Sequence, residues 1–159
     1  MIHSSAILEI NTKNFLHNYK YLDSISNKVL TGATIKANAY GLGDKKIFNL
    51  LYSIGCRHFF VATFEEAYKI RSINKNGYIY ILNGINKKNI KLLRNTNKII
   101  PIINSLKNIK ELIKESQNYI KKIEIGIHID TGINRLGIDI NNLEKIDKNI
   151  KLKIMISHL

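Results

Sequence analysis

Several side chains able to act as nucleophile, acid, base or hydrogen-bond donor directly follow apolar segments of this chain. They are Lys36, the dipeptide Asn83-Gly84, the tripeptide Asp130-Thr131-Gly132, and His158. If the apolar segments are parallel strands, their carboxyl ends meet at one end of the sheet, where βα folds carry their functional residues. We therefore expect these side chains to lie close together in one site.

Lys36 is the strongest candidate nucleophile of this group. It follows Ala33-Thr34-Ile35, so its side chain leaves an apolar strand, where loss of hydration can lower the pKa of a lysine toward nucleophilic use. The alternative is an ordinary lysine at a strand end that extends its ammonium group into solvent. The position of Lys36 alone favours that alternative. The sequence around Lys36 is needed to favour the nucleophile instead.

The elements that must position these side chains alternate between β-branched apolar runs and segments with helical spacing. The runs are residues 29–35, 59–63, 78–82, 99–103, 123–129 and 152–156. Most are continuously apolar, which is typical of parallel strands buried on both faces. The alternation predicts an α/β fold. No Gly-x-Gly-x-x-Gly turn follows the first strand, so we favour a TIM-type (β/α) barrel over a doubly wound sheet, incomplete with about six of its eight βα units.

Capping residues predict where the helices begin. Candidate caps are Asp44, Thr63 (in a Thr-x-x-Glu capping box with Glu66), Asn86 and Ser105, and a shorter helix is expected to open at Asn141. An earlier helix, over the segment that carries Phe15, Leu16, Tyr19, Leu22 and Ile25, follows a predicted strand at residues 6–10. We expect residues 1–10 to be a lead-in and residues 11–159 to form one partial barrel without an internal linker.

Composition narrows the class of protein. The 159 residues carry a formal net charge of +13, which favours anionic partners such as nucleic acid. The excess is mostly dispersed lysine, however, and arginine, the better reader of bases and phosphates, occurs only at positions 57, 71, 94 and 135. A compositional drift toward lysine on solvated faces is the preferred interpretation, and salt-dependent retention on DNA would distinguish the two.

Cysteine content and the N-terminal sequence bear on location and redox chemistry. Cys56 is the only cysteine, which excludes an internal disulfide framework and a cysteine-rich metal site. It precedes an apolar run and is expected to be a buried, inert thiol. The first five residues lack the basic and apolar regions of a signal peptide, so we expect a cytoplasmic protein that binds no membrane.

Four segments carry a family resemblance. Thr34-Ile35-Lys36-Ala37-Asn38-Ala39-Tyr40-Gly41-Leu42-Gly43 resembles the cofactor-lysine signature of alanine racemases. Residues 129–137, Ile-Asp-Thr-Gly-Ile-Asn-Arg-Leu-Gly, resemble a second motif of that family in the correct order. Weaker matches are residues 60–67 with Arg71, and the pair Ser157-His158. Together they cover essentially the whole chain and identify it as similar to the N-terminal barrel of alanine racemases.

The resemblance implies a role for each matched residue. Lys36 would form the internal aldimine with pyridoxal 5'-phosphate and act as one of two catalytic bases. Tyr40 would hydrogen-bond near the cofactor phosphate, Leu82 would line the cofactor pocket, and His158 would pack against the pyridine ring. Arg135 would lie beside the ring oxygen and bind the carboxylate of alanine. No metal is implied, and the family is a head-to-tail homodimer.

Two positions depart from the family pattern. His128 stands where many members have a lysine that becomes carbamylated and supports the neighbouring arginine. Histidine cannot form that carbamate, so Arg135 must be oriented differently, by an ion or by His128 itself. Leu42 replaces a histidine that is common in the family's signature.

Other parts of the family's machinery are expected to lie outside this sequence. The resemblance implies a second base, a tyrosine, in a C-terminal β-domain that is absent here, together with a phosphate-binding loop. One hypothesis is therefore an alanine racemase represented by its N-terminal portion, and another is a truncated, inactive remnant or cofactor-binding fragment. A small barrel that carries the cofactor without racemising is an intermediate possibility, although its lysine motif differs. A basic nucleic-acid-binding module is the least favoured.

Overall fold

The computed structural model describes residues 6–27, 29–74, 76–116, 120, 123–147 and 149–158. Within these ranges the chain forms one sheet of seven strands. They are β1 (Ala33–Thr34), β2 (His58–Val61), β3 (Tyr78–Ile81), β4 (Ile99–Ile103), β5 (Glu124–Asp130), β6 (Ile138–Asp139) and β7 (Lys151–Ser157). Strands β1 to β5 are adjacent in chain order, and β6 and β7 both pair with β5. Every pairing is parallel, so the predicted α/β class is confirmed.

Helices connect the strands and cover one face of the sheet. They are α1 (Thr12–Ile25), α2 (Lys36–Tyr40), α3 (Asp44–Ser53), α4 (Phe64–Arg71), α5 (Lys87–Leu93), α6 (Leu106–Ser116) and a 3₁₀ helix (Ile140–Lys145). The predicted caps Thr63, Asn86 and Ser105 are confirmed, because the side chain of each accepts a hydrogen bond from the amide three residues later. The capping box between Thr63 and Glu66 is also present. None of the described helices is long and apolar enough to cross a membrane.

Apolar side chains bury both faces of the sheet in β3, β4 and β5, which explains why these strand sequences are continuously apolar. Strand β7 differs, since most of its residues are exposed, including Leu152 and Met155. In β4, Ile99 and Ile103 join a cluster that includes buried side chains of the helices. The alternate residues Ile100 and Ile102 join Tyr80 in a second cluster, on the opposite face. The side chains that face inward at the carboxyl ends of these strands are therefore held on a rigid support.

The structure corrects the prediction near the N-terminus. Residues 6–10, predicted as a strand, lie outside the described strands, and Ile7 and Leu8 are 87% and 67% exposed. A strand needs a neighbour to satisfy its backbone groups, and the described part of the chain places none beside this segment. Residues 29–32 of the first predicted run are likewise not strand, since β1 covers only Ala33–Thr34.

The predicted starts of two helices are also wrong. Asp44 is the first residue of α3 and not its cap; its carboxylate forms an ion pair with Lys69 Nζ at 2.8 Å. Asp139, and not Asn141, caps the 3₁₀ helix, because Asp139 Oδ1 accepts a hydrogen bond from the Asn141 amide at 2.8 Å. At α3 the preceding Gly43 is the cap residue, and at the 3₁₀ helix Asp139 competes with Asn141, so the local sequence leaves both boundaries ambiguous.

Candidate active site

A cavity of about 750 Å³ lies at the carboxyl ends of β1, β2, β3, β5 and β7. It is lined by Thr34, Lys36, Tyr40, Ala62, Leu82, Asn83, His128, Ile133, Arg135, Leu136, Ile156, Ser157 and His158. Lys36, Tyr40, Leu82, Arg135 and His158, the residues to which the resemblance gives a role, are among them. Asn83 also lines the cavity, whereas Gly84 and the tripeptide Asp130-Thr131-Gly132, expected in the same site, do not. The tertiary structure thus brings Lys36 and His158, which are far apart in the sequence, to the same cavity.

The turn α2 places both Lys36 and Tyr40 on the cavity. Its residues from Ala37 to Tyr40 have φ between 51° and 54°, so the turn is left-handed. For residues other than glycine this conformation costs roughly 1–2 kcal/mol each. Strain of this kind persists only where surrounding contacts impose it, and it concentrates at functional sites.

Several contacts hold this turn in place. Glu66 Oε1 accepts a hydrogen bond from the Ala37 amide at 2.8 Å, while Oε2 accepts one from the Ala62 amide at 2.7 Å. Asn38 Oδ1 accepts a hydrogen bond from the Asp44 amide at 3.1 Å. Ala39 is buried in the core. The backbone beside Lys36 is therefore fixed to α4 and to the end of β2.

Arg135 lies on the loop that follows β5. Asp130 Oδ1 organises this loop by accepting hydrogen bonds from the amides of Gly132 at 3.0 Å and Asn134 at 3.1 Å. These bonds hold the pKa of the Asp130 carboxyl below its usual range. The Arg135 guanidinium is exposed and has no hydrogen-bond or ion-pair partner in the described part of the chain. Its five donors are therefore available to a ligand in the cavity.

The end of β7 closes the other side of the cavity. Ser157 Oγ lies 2.6 Å from Thr131 Oγ1 and ties β7 to the Arg135 loop. His158 follows directly and lines the cavity. His128, on β5, is buried. Burial is the main cause that lowers the pKa of its imidazole, and the charge of nearby His158 lowers it further.

Two residues that support the cavity were not predicted as site residues. Asn104 follows β4 and forms a hydrogen bond with His128, at 2.9 Å from Oδ1 to Nδ1. The rule that selected Lys36 and His158, a polar residue directly after an apolar run, also applies to Asn104 and could have found it. Glu66 was predicted only as part of a capping box, and no local pattern signals its bond to Ala37, 29 residues earlier.

Arg71, part of the weaker motif match, lies away from the cavity. Its guanidinium donates to the backbone oxygens of Asn74, Gly77 and Lys98 at 2.6–3.1 Å, near the amino ends of β3 and β4. Burial lowers the pKa of Arg71. Its contacts are those of a structural residue.

Comparison with known proteins identifies the family. The family model "Alanine racemase, N-terminal domain" matches residues 10–159. Alanine racemases from Rickettsia typhi and Rickettsia africae are 35% and 36% identical to the chain over 163 aligned positions, which include 98% of it. The chain spans only 40% and 46% of the length of these two relatives.

Solved structures agree with the fold. A crystal structure of alanine racemase from Bartonella henselae with covalently bound pyridoxal phosphate superimposes with a TM-score of 0.84 at 35% identity. The match covers 94% of this chain and 45% of that one. The biosynthetic alanine racemase of Pseudomonas aeruginosa, at 22% identity and a TM-score of 0.81, supports the fold alone. The predicted TIM-type barrel, incomplete in this chain, is confirmed.

Proposed function

Because the chain belongs to the family of alanine racemase N-terminal domains, we propose that it is the pyridoxal-phosphate-binding part of an alanine racemase. The proposed reaction is the interconversion of L- and D-alanine in the cytoplasm. It supplies D-alanine for peptidoglycan. The observation that carries the proposal is the convergence of Lys36, Tyr40, Leu82, Arg135 and His158 on one cavity. Residues 11–159 are proposed to act as one partial barrel domain.

The residues present fit the cofactor. The cavity, at about 750 Å³, falls within the size range of small-molecule sites. Lys36 offers an amine, and Tyr40 and Arg135 offer donors to anionic groups. The apolar side chains of Leu82, Ile133 and Ile156 line the same space and suit an aromatic ring.

Each of these residues has a proposed task. When bound, the cofactor supplies an electron sink that acidifies the α-hydrogen of the amino acid. Lys36 holds the cofactor and moves a proton at the α-carbon through Nζ. Arg135 binds the substrate carboxylate, which fixes the orientation of that hydrogen. Tyr40 donates a hydrogen bond to the phosphate, and Leu82 and His158 pack against the ring.

Racemisation in both directions needs a second base on the opposite face of the substrate. We propose that a tyrosine of a C-terminal domain, delivered across a head-to-tail dimer, supplies it. Since the chain spans less than half the length of its relatives, a cofactor-binding fragment without racemase activity is the second candidate. Formation of D-alanine from L-alanine, measured on the chain alone and with a complementing C-terminal chain, separates these possibilities.

The test is a visible absorbance spectrum of the chain with pyridoxal phosphate, before and after borohydride, followed by mapping of the labelled peptide. We expect a cofactor band and a label on Lys36. Lys36→Ala should abolish both and leave the circular dichroism unchanged, whereas Lys45→Ala, which alters an exposed lysine of α3, should keep both. A label that persists in Lys36→Ala refutes the assignment, and a folded chain without any band refutes cofactor binding by this half.

A further inference from the structure

The two ring nitrogens of His128 have different surroundings. The residue is 7% exposed on β5, at the wall of the cavity. Its Nδ1 lies 2.9 Å from Asn104 Oδ1. Its Nε2 is buried and has no hydrogen-bond partner among the described residues. A buried polar atom without a partner is costly, so Nε2 favours a neighbouring group that can form a hydrogen bond with it.

The amide of Asn104 decides which nitrogen of His128 carries the proton. Asn104 Nδ2 donates to the backbone oxygens of Leu82 at 2.9 Å and Ile102 at 3.2 Å. The reverse orientation of the amide would set its oxygen against two carbonyl oxygens, so the hydrogen-bond network assigns Oδ1 to the histidine side. An amide oxygen only accepts, and therefore Nδ1 of His128 is the donor.

The neutral form of this tautomer has its lone pair on Nε2. Burial lowers the pKa of His128, the charge of His158 lowers it further, and Asp130 acts in the opposite direction. Near neutral pH, His128 thus presents a buried hydrogen-bond acceptor.

We propose that Asn104 locks His128 as the Nδ1–H tautomer and that His128 is a positioning residue, its Nε2 accepting a hydrogen bond from the Arg135 guanidinium. Arg135 lines the same cavity, lies on an exposed loop and has no partner in the described part of the chain. Arginine always carries its donors, so it suits a neutral acceptor. The consequence, that this bond aims Arg135 at the substrate carboxylate, rests on the proposed function.

The tautomer is tested by ¹⁵N NMR of the chain labelled at histidine. We expect His128 to show a protonated Nδ1 and an unprotonated Nε2. Asn104→Leu should shift the population of His128 toward the Nε2–H tautomer. Asn83→Leu, which removes another asparagine at the cavity, should leave that population unchanged. His58, whose Nδ1 lies 2.9 Å from the Tyr80 hydroxyl, is the internal reference. An Nε2–H tautomer in the unaltered chain overturns the proposal without any variant.

The bond to Arg135 is tested by titrating His128 in the same spectra. Loss of a donor to Nε2 favours protonation, so Arg135→Ala should raise the pKa of His128 by about one unit, a tenfold change in proton affinity. Arg135→Lys keeps the charge without the planar fork and should recover only part of the shift. An unchanged pKa, or full recovery by lysine, overturns the positioning role. These readouts need no cofactor, so they fail or succeed independently of the proposed racemase activity.

Discussion

The carboxylate of Glu66 lies 2.8 Å from the amide nitrogen of Ala37, the residue next to Lys36. Its other oxygen lies 2.7 Å from the amide of Ala62, which lines the cavity. One side chain at the start of α4 thereby joins the backbone that follows β1 to the backbone that follows β2. This bridge holds the left-handed turn that presents Lys36 and Tyr40.

We predict that Glu66→Gln destabilises the fold and weakens cofactor attachment. Glutamine replaces one acceptor oxygen by an NH₂ group, which would face a backbone donor, and an unsatisfied amide costs about 1–3 kcal/mol. Urea denaturation should show this loss, and the fraction of Lys36 labelled after borohydride should fall.

Glu65→Gln is the matched control for that prediction. Glu65 lies in the same first turn of α4, is exposed, and accepts a hydrogen bond from the Asn89 side chain at 3.1 Å. Its change removes the same charge near the helix N-terminus without touching Ala37 or Ala62. Equal losses for the two variants would show that helix electrostatics, and not the bridge, explains the effect.

Gly137 is predicted to be required for the loop that carries Arg135. Its φ is +124°, and a Cβ there would lie 2.6 Å from the Asp130 amide nitrogen. Gly132 has φ +122° but no atom within 4 Å of the same position. Both alanine variants incur the backbone strain, and only Gly137→Ala adds a clash with rigid backbone. We expect Gly137→Ala to lose about 2 kcal/mol more in urea denaturation than Gly132→Ala; equal values would contradict the clash.

Cys56 is predicted to resist alkylation in the folded chain. It is 1% exposed, and burial raises the pKa of its thiol. The reactive thiolate is therefore scarce, so iodoacetamide should modify the native chain at least about tenfold more slowly than the urea-unfolded chain at pH 8.

The raised pKa of Cys56 means that the folded state holds the thiol proton more tightly than the unfolded state does. The stability that it contributes is present below the ordinary thiol pKa, about 8.5, and is lost as the pH rises above it. In the alkylation experiment, equal rates for the native and the urea-unfolded chain would refute the burial of Cys56.

Arg71→Lys is predicted to lower stability without altering the cavity. A lysine cannot reproduce the planar fork that donates to Asn74, Gly77 and Lys98. We expect the free energy of unfolding to fall by about 2 kcal/mol, because three partly buried carbonyl groups lose a charged donor. Below the denaturation midpoint the cofactor spectrum should be unchanged, since these bonds lie at the amino ends of the strands.

Arg57→Lys provides the comparison for Arg71. Arg57 is exposed and donates to the backbone oxygens of Tyr52 and Cys56 at 2.7 and 2.9 Å. Water can replace these bonds, so the loss should stay below about 1 kcal/mol. A cost at Arg57 as large as that at Arg71 would mean that burial is not the source of the difference.

The sequence by itself determined the class of fold and the end of the sheet where the candidate site lies. Continuous apolar runs have one stable use in a βα chain, as parallel strands buried on both faces, and the caps Thr63, Asn86 and Ser105 act within a single helical turn. Lys36 and His158 were predictable for the same reason, because each directly follows such a strand. These patterns are local, so they can be recognised in a single sequence.

Only the tertiary structure decided what depends on contacts between distant residues. The segment 6–10 has a strand-like sequence but no neighbouring strand among the described residues. The left-handed turn after Lys36 depends on Glu66, and the tautomer of His128 depends on Asn104, 24 residues away. Hydrogen bonds of this kind follow from the positions of whole strands, and local residue patterns carry no record of them.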